Sequence, residues 1–254
     1  MHFNVVIPAR YGSQRLPGKP LADMHGRALI LHVCERARES GADRIIVATD
    51  DARIADVCKA SGVEVEMTRA DHASGMDRIA EVSRRLRWDE SSIVVNLQGD
   101  EPLMPGNTIR QVVALLEAQG AAQMATLCTP IHALAEFLDP NVVKVLADHA
   151  GLALYFSRAP IPWNRDGAAT GYASQQNWQG ALRHIGLYAY RAAALHQLAS
   201  ASTCELEQTE KLEQLRALWM GMRIAIDVAR ETPGPSVDTA EDLARVADLM
   251  RGTH

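Results

Sequence analysis

Near its start the chain has a short apolar run, Phe3 to Ile7, that stops at Pro8 and opens into Arg10-Tyr11-Gly12-Ser13-Gln14-Arg15-Leu16-Pro17-Gly18-Lys19-Pro20. The run reads as a buried first strand, and a helix is expected to begin near Arg27. Between them lie three cations, Arg10, Arg15 and Lys19, and two glycines. A cationic, glycine-bearing loop behind a first strand is where α/β proteins hold phosphates. Glycine lets backbone N–H groups approach the anion, and Arg and Lys neutralise it. Pro17 and Pro20 fix φ on either side of Gly18-Lys19, so the cations are held in place. The loop is not a Walker P-loop: Gly12 and Gly18 are one residue too far apart, and Pro20 stands where a hydroxyl should bind metal. Nor does the chain carry the GxGxxG of a dinucleotide fold, which argues against a dehydrogenase.

The pattern that follows is strand–helix–strand. Ile30, Val33, Cys34 and Ala37 give residues 27–39 one apolar helical face, ended by Gly41. Residues 44–48 read as a strand, Ile54, Val57 and Cys58 mark a helix closed at Gly62, and 63–67 a further strand. This rhythm predicts a mainly parallel sheet with right-handed crossovers. Ser74 is placed to cap a helix that carries Met76, Ile79, Ala80 and Ser83. Ile93 to Leu97 is a continuous apolar strand, as expected at a sheet centre, and ends in Gln98-Gly99-Asp100-Glu101. Ligands of open α/β sheets sit beyond the carboxyl ends of strands, so Asp100 belongs where the first loop also ends. An acid facing a basic phosphate loop suggests a Mg²⁺–nucleotide site, although acids are also common at helix starts.

Past residue 130 the style changes to hairpins. Residues 141–147 and 152–157 read as paired strands, with Arg158 at the end of the second. Residues 164–180 form a polar loop of lid or dimer-edge length. From His184 to Arg191 the chain alternates, with Ile185, Leu187 and Ala189 on one face and His184, Gly186, Tyr188 and Tyr190 on the other. Residues 205–220 read as one long helix, with Glu213 and Gln214 projecting from its middle. Thr239 caps a last helix and leaves Asp238 free to point elsewhere, as a second metal candidate.

Composition narrows the class. The 254 residues carry a formal charge of −5, which argues against a nucleic-acid protein. Cys34, Cys58, Cys128 and Cys204 form no CxxC pair, and the histidines form no HxH or HExxH, so neither disulfides nor zinc is expected. No stretch reaches the length of a membrane span and no leader is evident, so a cytoplasmic protein is expected.

The first loop resembles the N-terminal signature of sugar nucleotidyltransferases, and more closely that of the 3-deoxy-manno-octulosonate (Kdo) cytidylyltransferase, or CMP-Kdo synthetase, family. The resemblance continues through Ile45 to Asp50, Met67 to His72, Gln98 to Pro102, Ala153 to Arg158, Arg183 to Tyr188, Leu212 to Arg216 and Val237 to Thr239. Each motif alone is weak, and in this order they are specific. The chain departs from the family at Cys204-Glu205-Leu206-Glu207, where a proline is usual, and in the 164–180 loop.

The resemblance implies a nucleotide-diphospho-sugar transferase fold, Rossmann-like and mainly parallel, formed as one domain over 1–254 with an inserted sugar-binding or dimerisation subregion at about 130–200. It implies CMP transfer from CTP to Kdo with release of pyrophosphate, for lipopolysaccharide synthesis, in a homodimer using Mg²⁺. By the same resemblance Arg15 and Lys19 contact the triphosphate, and Arg10, Ser13, Ser74, Gly75, Arg78 and Gln98 line the nucleotide side. Asp100 and Asp238 are the metal carboxylates, and Arg158, His184, Tyr188, Glu213 and Gln214 form the sugar-acid pocket. Arg15, Lys19, Asp100 and Asp238 make up the catalytic group. A cytidylyltransferase for 8-amino-Kdo or a sialic-type acid would share these residues. A non-catalytic nucleotide-binding module on the same fold would be expected to have lost one of them.

Overall fold

A computed structural model describes residues 1–13, 15–72, 74–167 and 175–251. Gln14, and residues 168–174 of the expected lid loop, lie outside the described residues. The chain divides into two compact units, one of Met1–Ala114, Leu187–Ala199 and Arg230–His254, the other of Leu115–Gly186 and Ser200–Ala229.

The first unit is built on four parallel strands: β1 (Phe3–Ala9), β4 (Arg44–Thr49), β5 (Glu64–Met67) and β6 (Ile93–Asn96). β1 lies between β4 and β6, with Val5 level with Ile45 and with Val95. Burial on both faces explains why these strands read as unbroken apolar runs: Val5, Val6, Ile7, Ile46, Val47, Val94 and Val95 have no exposed surface. The later half of β10 (Leu182–Arg191) joins antiparallel to β6, with Tyr188 opposite Asn96. Helices α1 (Leu29–Glu39), α2 (Ala52–Ala60) and α3 (Gly75–Arg85) follow β-strands in the expected rhythm, and α4 (Gly106–Ala118) and α6 (Ala192–Ser200) come after β6 and β10 along the chain. Gly41 and Gly62, with φ of 71° and 69°, end α1 and α2 in the left-handed conformation that the sequence assigned them.

The start of α1 differs from expectation. Arg27–Ala28 is a short strand, β3, paired antiparallel with β2 (Asp23–Met24). His25 and Gly26 between them have φ of 56° and 76°, the signature of a tight primed hairpin turn. Apolar spacing locates a helix by its buried residues, and the first of these is Leu29. A core of Met24, Leu29, Val237 and Val246, joined by Leu16, Leu103 and Leu243, fixes the segment before α9 (Ala240–Arg251) beside the first loop.

The second unit pairs β7 (Met124–Pro130) in parallel with β11 (Ile224–Val228), Ala125 level with Ala225. The expected hairpin is present as β8 (Lys144–Ala147) and β9 (Ala153–Ser157), antiparallel, and the first residues of β10 pair with β8. Helices α5 (Leu134–Leu138), α7 (Glu205–Glu210) and α8 (Gln214–Trp219) belong to this unit.

The single helix expected over 205–220 is therefore two. Lys211, with φ 55°, breaks it in the left-handed region. Across the break the Arg216 guanidinium makes a bidentate pair with the Glu207 carboxylate, its Nε at 2.7 Å, both side chains almost fully buried. On a continuous helix these two residues would be about 13.5 Å apart along the axis and on opposite faces. A buried, doubly bonded ion pair outweighs the propensity that made the segment look continuous.

Candidate active site

The first loop is closed by its own backbone. The Tyr11 carbonyl accepts from Ser13 N at 2.9 Å and from Gly18 N at 3.1 Å, and the Ser13 hydroxyl accepts from Leu16 N at 3.3 Å. Gly18 has φ 70°, and a β-carbon there would sit 3.1 Å from the Tyr11 ring. The left-handed backbone strains any other residue there, and a β-carbon would also need the Tyr11 ring to give by a few tenths of an ångström. The Tyr11 ring also carries the Arg53 guanidinium 3.4 Å from its centroid, and Arg53 is held in turn by Asp51 at 3.0 and 2.6 Å. This cation–π contact has no sequence motif; only the spacing Asp51-x-Arg53 hints that the arginine is fixed.

The chain then turns through a 3-10 helix, Lys19–Leu21, with Pro20 buried. Lys19 is the centre of the site. Its ammonium donates to Asp100 Oδ2 at 2.7 Å, the Val237 carbonyl at 2.9 Å and Asp238 Oδ1 at 3.2 Å. Arg15 reaches the same Asp238 oxygen at 2.8 Å. The four residues that the resemblance groups as catalytic thus meet, although they come from three distant parts of the chain.

Local structure explains each approach. Leu97 N bonds Val6 O at 3.2 Å, which carries the β6 end alongside β1. Gly99 then passes so close that a β-carbon would lie 2.9 Å from the Pro8 carbonyl oxygen. The Asp100 carbonyl accepts from Val237 N at 2.9 Å, tying the two acidic segments together. Thr239 caps α9 reciprocally: its hydroxyl accepts from Asp242 N at 3.2 Å, and the Asp242 carboxylate accepts from Thr239 N at 3.0 Å. The capping is done by Thr239 and Asp242, which leaves the Asp238 carboxylate for Lys19 and Arg15.

Among the described residues no group of three or more His, Cys, Asp or Glu converges as a metal cage. Asp100 and Asp238 offer two hard oxygen donors on one cation, with side chains 28% and 36% exposed. That donor set fits Mg²⁺, which is usually held by one or two carboxylates and completed by substrate phosphates and water.

The remaining residues expected on the nucleotide side are placed differently. Arg10 is exposed on the same loop as Ser13. Ser74 does cap α3, its hydroxyl accepting from Asp77 N at 3.2 Å, and Gly75 opens that helix against Pro8. The Gln98 amide bonds Asn96 Oδ1 at 3.4 Å. Arg78 is almost wholly buried, bonded to the Thr68 hydroxyl and 3.3 Å from the Asp50 carboxylate. It ties α3 to the ends of β4 and β5, a role the sequence did not suggest.

Of the expected sugar-side residues, Tyr188 belongs to the first unit, buried next to Tyr190 with ring centroids 5.8 Å apart. The other four belong to the second unit. His184 Nε2 is 2.9 Å from the Thr126 hydroxyl, which donates to the Ile185 carbonyl at 3.0 Å. With its proton spent there, Thr126 accepts from His184 Nε2–H. Burial beside the Phe156 ring pushes the imidazole pKa down to about 3. Glu213 is exposed and Gln214 buried at the start of α8, directly after the break rather than in mid-helix. Arg158 is half-buried and braced: its Nε donates to the Glu210 carbonyl at 2.7 Å and its Nη1 to the Pro140 carbonyl at 2.9 Å. The four cysteines are all buried and unpaired; burial raises Cys34 to about 12 and Cys58 and Cys128 to about 11, so these three are inert thiols.

A family model described as cytidylyltransferase matches residues 4–224. A protein of Alkalilimnicola ehrlichii named 3-deoxy-manno-octulosonate cytidylyltransferase is 55% identical over 98% of this chain and 96% of its own length. One of the same name from Thioalkalivibrio sulfidiphilus is 53% identical over 99% of this chain and all of its own. The chain belongs to the 3-deoxy-manno-octulosonate cytidylyltransferase family. A solved CMP:2-keto-3-deoxy-manno-octonic acid synthetase, in complex with CTP, superposes with TM-score 0.89 at 40% identity, covering both chains completely. A cytidylyltransferase from Leptospira borgpetersenii, 18% identical with TM-score 0.65 over all of this chain and 88% of its own, shares the fold. The stretch matched by the cytidylyltransferase model holds Arg15, Lys19, Asp100, Arg158, His184, Glu213 and Gln214. Asp238 lies beyond it, and only the folded chain brings that carboxylate to Lys19.

Proposed function

We infer that this protein transfers CMP from CTP to the anomeric hydroxyl of Kdo, giving CMP-Kdo and pyrophosphate. The observation that carries the reading is the meeting of Lys19, Arg15, Asp100 and Asp238 in a chain of this family. Displacement at the α-phosphorus builds negative charge on the phosphoryl oxygens and on leaving pyrophosphate. Arg15 and Lys19 are placed to take that charge, and cations fixed in advance stabilise it without reorganising. Loop closure through the Tyr11 carbonyl keeps both cations at the end of β1. Arg10, Ser13, Ser74, Gly75, Arg78 and Gln98 serve the nucleotide side, with Arg78 held by Thr68 and Asp50. Arg158, His184, Tyr188, Glu213 and Gln214 serve the sugar acid, His184 as a neutral imidazole.

Asp100 and Asp238 would hold Mg²⁺, which would neutralise phosphate charge when bound. We further propose a homodimer acting in the cytoplasm in lipopolysaccharide synthesis; among the described residues no helix is long and apolar enough to cross a membrane.

The test is pyrophosphate release from CTP, Mg²⁺ and Kdo, with each component omitted in turn and CTP replaced by UTP. Release that needs all three and prefers CTP is expected. Turnover with another sugar acid, but not with Kdo, would overturn the substrate. Asp100→Ala should lower turnover by about 100-fold or more, as removal of single electrostatic groups does elsewhere. Near-normal turnover would remove Asp100 from the metal assignment.

A further inference from the structure

The bonds around Arg158 assign a role to Glu210, a residue in neither the catalytic nor the binding sets above. Glu210 is the last residue of α7, and Lys211 beyond it is left-handed, so the helix stops there. The carbonyls of a helix's last turn have no partner inside the helix. The Glu210 carbonyl finds one outside, accepting from Arg158 Nε at 2.7 Å. Its carboxylate takes two more bonds from the same short segment, from Arg158 N at 2.8 Å and from the Ser157 hydroxyl at 2.6 Å. One residue thus fixes Arg158 by backbone and by side chain. The opposite side of the segment is pinned by Lys144, whose fully buried ammonium donates to the Arg158 carbonyl at 2.7 Å and to the Asp139 carbonyl at 2.9 Å. That second bond anchors the turn whose Pro140 carbonyl receives Arg158 Nη1. Two of the five guanidinium donors are spent on this bracing, and the rest of the fork is held in one orientation.

We infer that Glu210 is the positioning residue for the sugar acid: it fixes the Arg158 guanidinium in the orientation that meets the carboxylate, and sets that arginine in register with Glu213 and Gln214 three and four residues further on. The inference rests on the reading of Arg158 as a sugar-acid contact. An unbraced arginine would have to be ordered at each binding event, which weakens binding of the acid and leaves CTP untouched. Glutamine keeps one acceptor oxygen and the length of the side chain, so Glu210→Gln is the conservative variant; alanine removes both carboxylate bonds.

The experiment measures KM for Kdo and for CTP separately in Glu210→Ala, Glu210→Gln, Arg158→Ala and the Glu210→Ala/Arg158→Ala double variant, each with its melting temperature. Expected are a rise in KM for Kdo of about tenfold or more in Glu210→Ala, a smaller rise in Glu210→Gln, CTP KM within about twofold, and a double variant no worse than Arg158→Ala alone. If Arg158→Ala raises KM for Kdo and neither Glu210 variant does, the positioning role is overturned while the reading of Arg158 stands. If Arg158→Ala leaves KM for Kdo unchanged, the reading of Arg158 fails first. If both KM values rise together with a lowered melting temperature, and glutamine restores only the melting temperature, Glu210 is a structural residue and the proposal is wrong.

Discussion

Replacing Lys19 with methionine removes the charge and keeps most of the stem. The ammonium lies 2.7 Å from Asp100 and 3.2 Å from Asp238, so these two carboxylate oxygens are no more than about 6 Å apart. Without the cation they repel by about 3 kcal/mol at an effective dielectric of about 20. Both carboxylates are partly open to water, and Arg15 remains on Asp238, so about 1–2 kcal/mol is the realistic cost. In a chain of this size that lowers the melting temperature by about 2–8 °C. Salt should shrink the deficit, and adding Asp100→Asn should relieve it, since one carboxylate has then lost its charge. Turnover should fall about 100- to 1000-fold, because the same cation is needed for developing phosphate charge. Melting curves at low and high salt, beside pyrophosphate release, read both effects. A melting temperature unchanged at low salt, with turnover within about threefold, would refute the view of Lys19 as the electrostatic centre.

Glu207→Ala should destabilise the fold by about 3–5 kcal/mol in urea titration, because it strands the buried Arg216 charge; Glu207→Leu with Arg216→Met should recover much of it. Gly99→Ala should lower turnover by about 100-fold with little loss of CTP binding, since the new β-carbon, 2.9 Å from the Pro8 oxygen, must push aside the loop that carries Asp100. Wild-type stability should fall as pH drops below about 6.5: native His184 stays neutral down to about 3, while the unfolded chain takes up its proton near 6.5. That uptake favours unfolding by about 1.4 kcal/mol per pH unit across the window, and His32 and His196, both held below their ordinary pKa by burial, add the same sign. The gap between urea midpoints at about pH 7 and 5.5 should narrow in His184→Gln; an unchanged gap would show that His184 is not a group responsible.

The order of strands and helices in the first unit was legible because burial on both faces of a parallel sheet leaves unbroken apolar runs, and β1, β4 and β6 are such runs. Gly41, Gly62, Ser74 and Thr239 mark helix ends by local chemistry that does not depend on the rest of the fold. The residue types of the site were legible for the same reason: a cationic loop after one strand and an acid after another belong at one end of a parallel sheet. What tertiary structure alone decided is who holds whom. Lys19 takes Asp100, Val237 and Asp238 across most of the chain's length, a choice no local pattern encodes. Arg78 is bonded to Thr68 and lies beside Asp50, partners that no spacing in the sequence announces. The helix expected over 205–220 gives way at Lys211, where the buried Glu207–Arg216 pair and the Glu210–Arg158 bonds outweigh local propensity. Helix preference is worth only tenths of a kcal/mol per residue, and buried charge-assisted bonds are worth several times that.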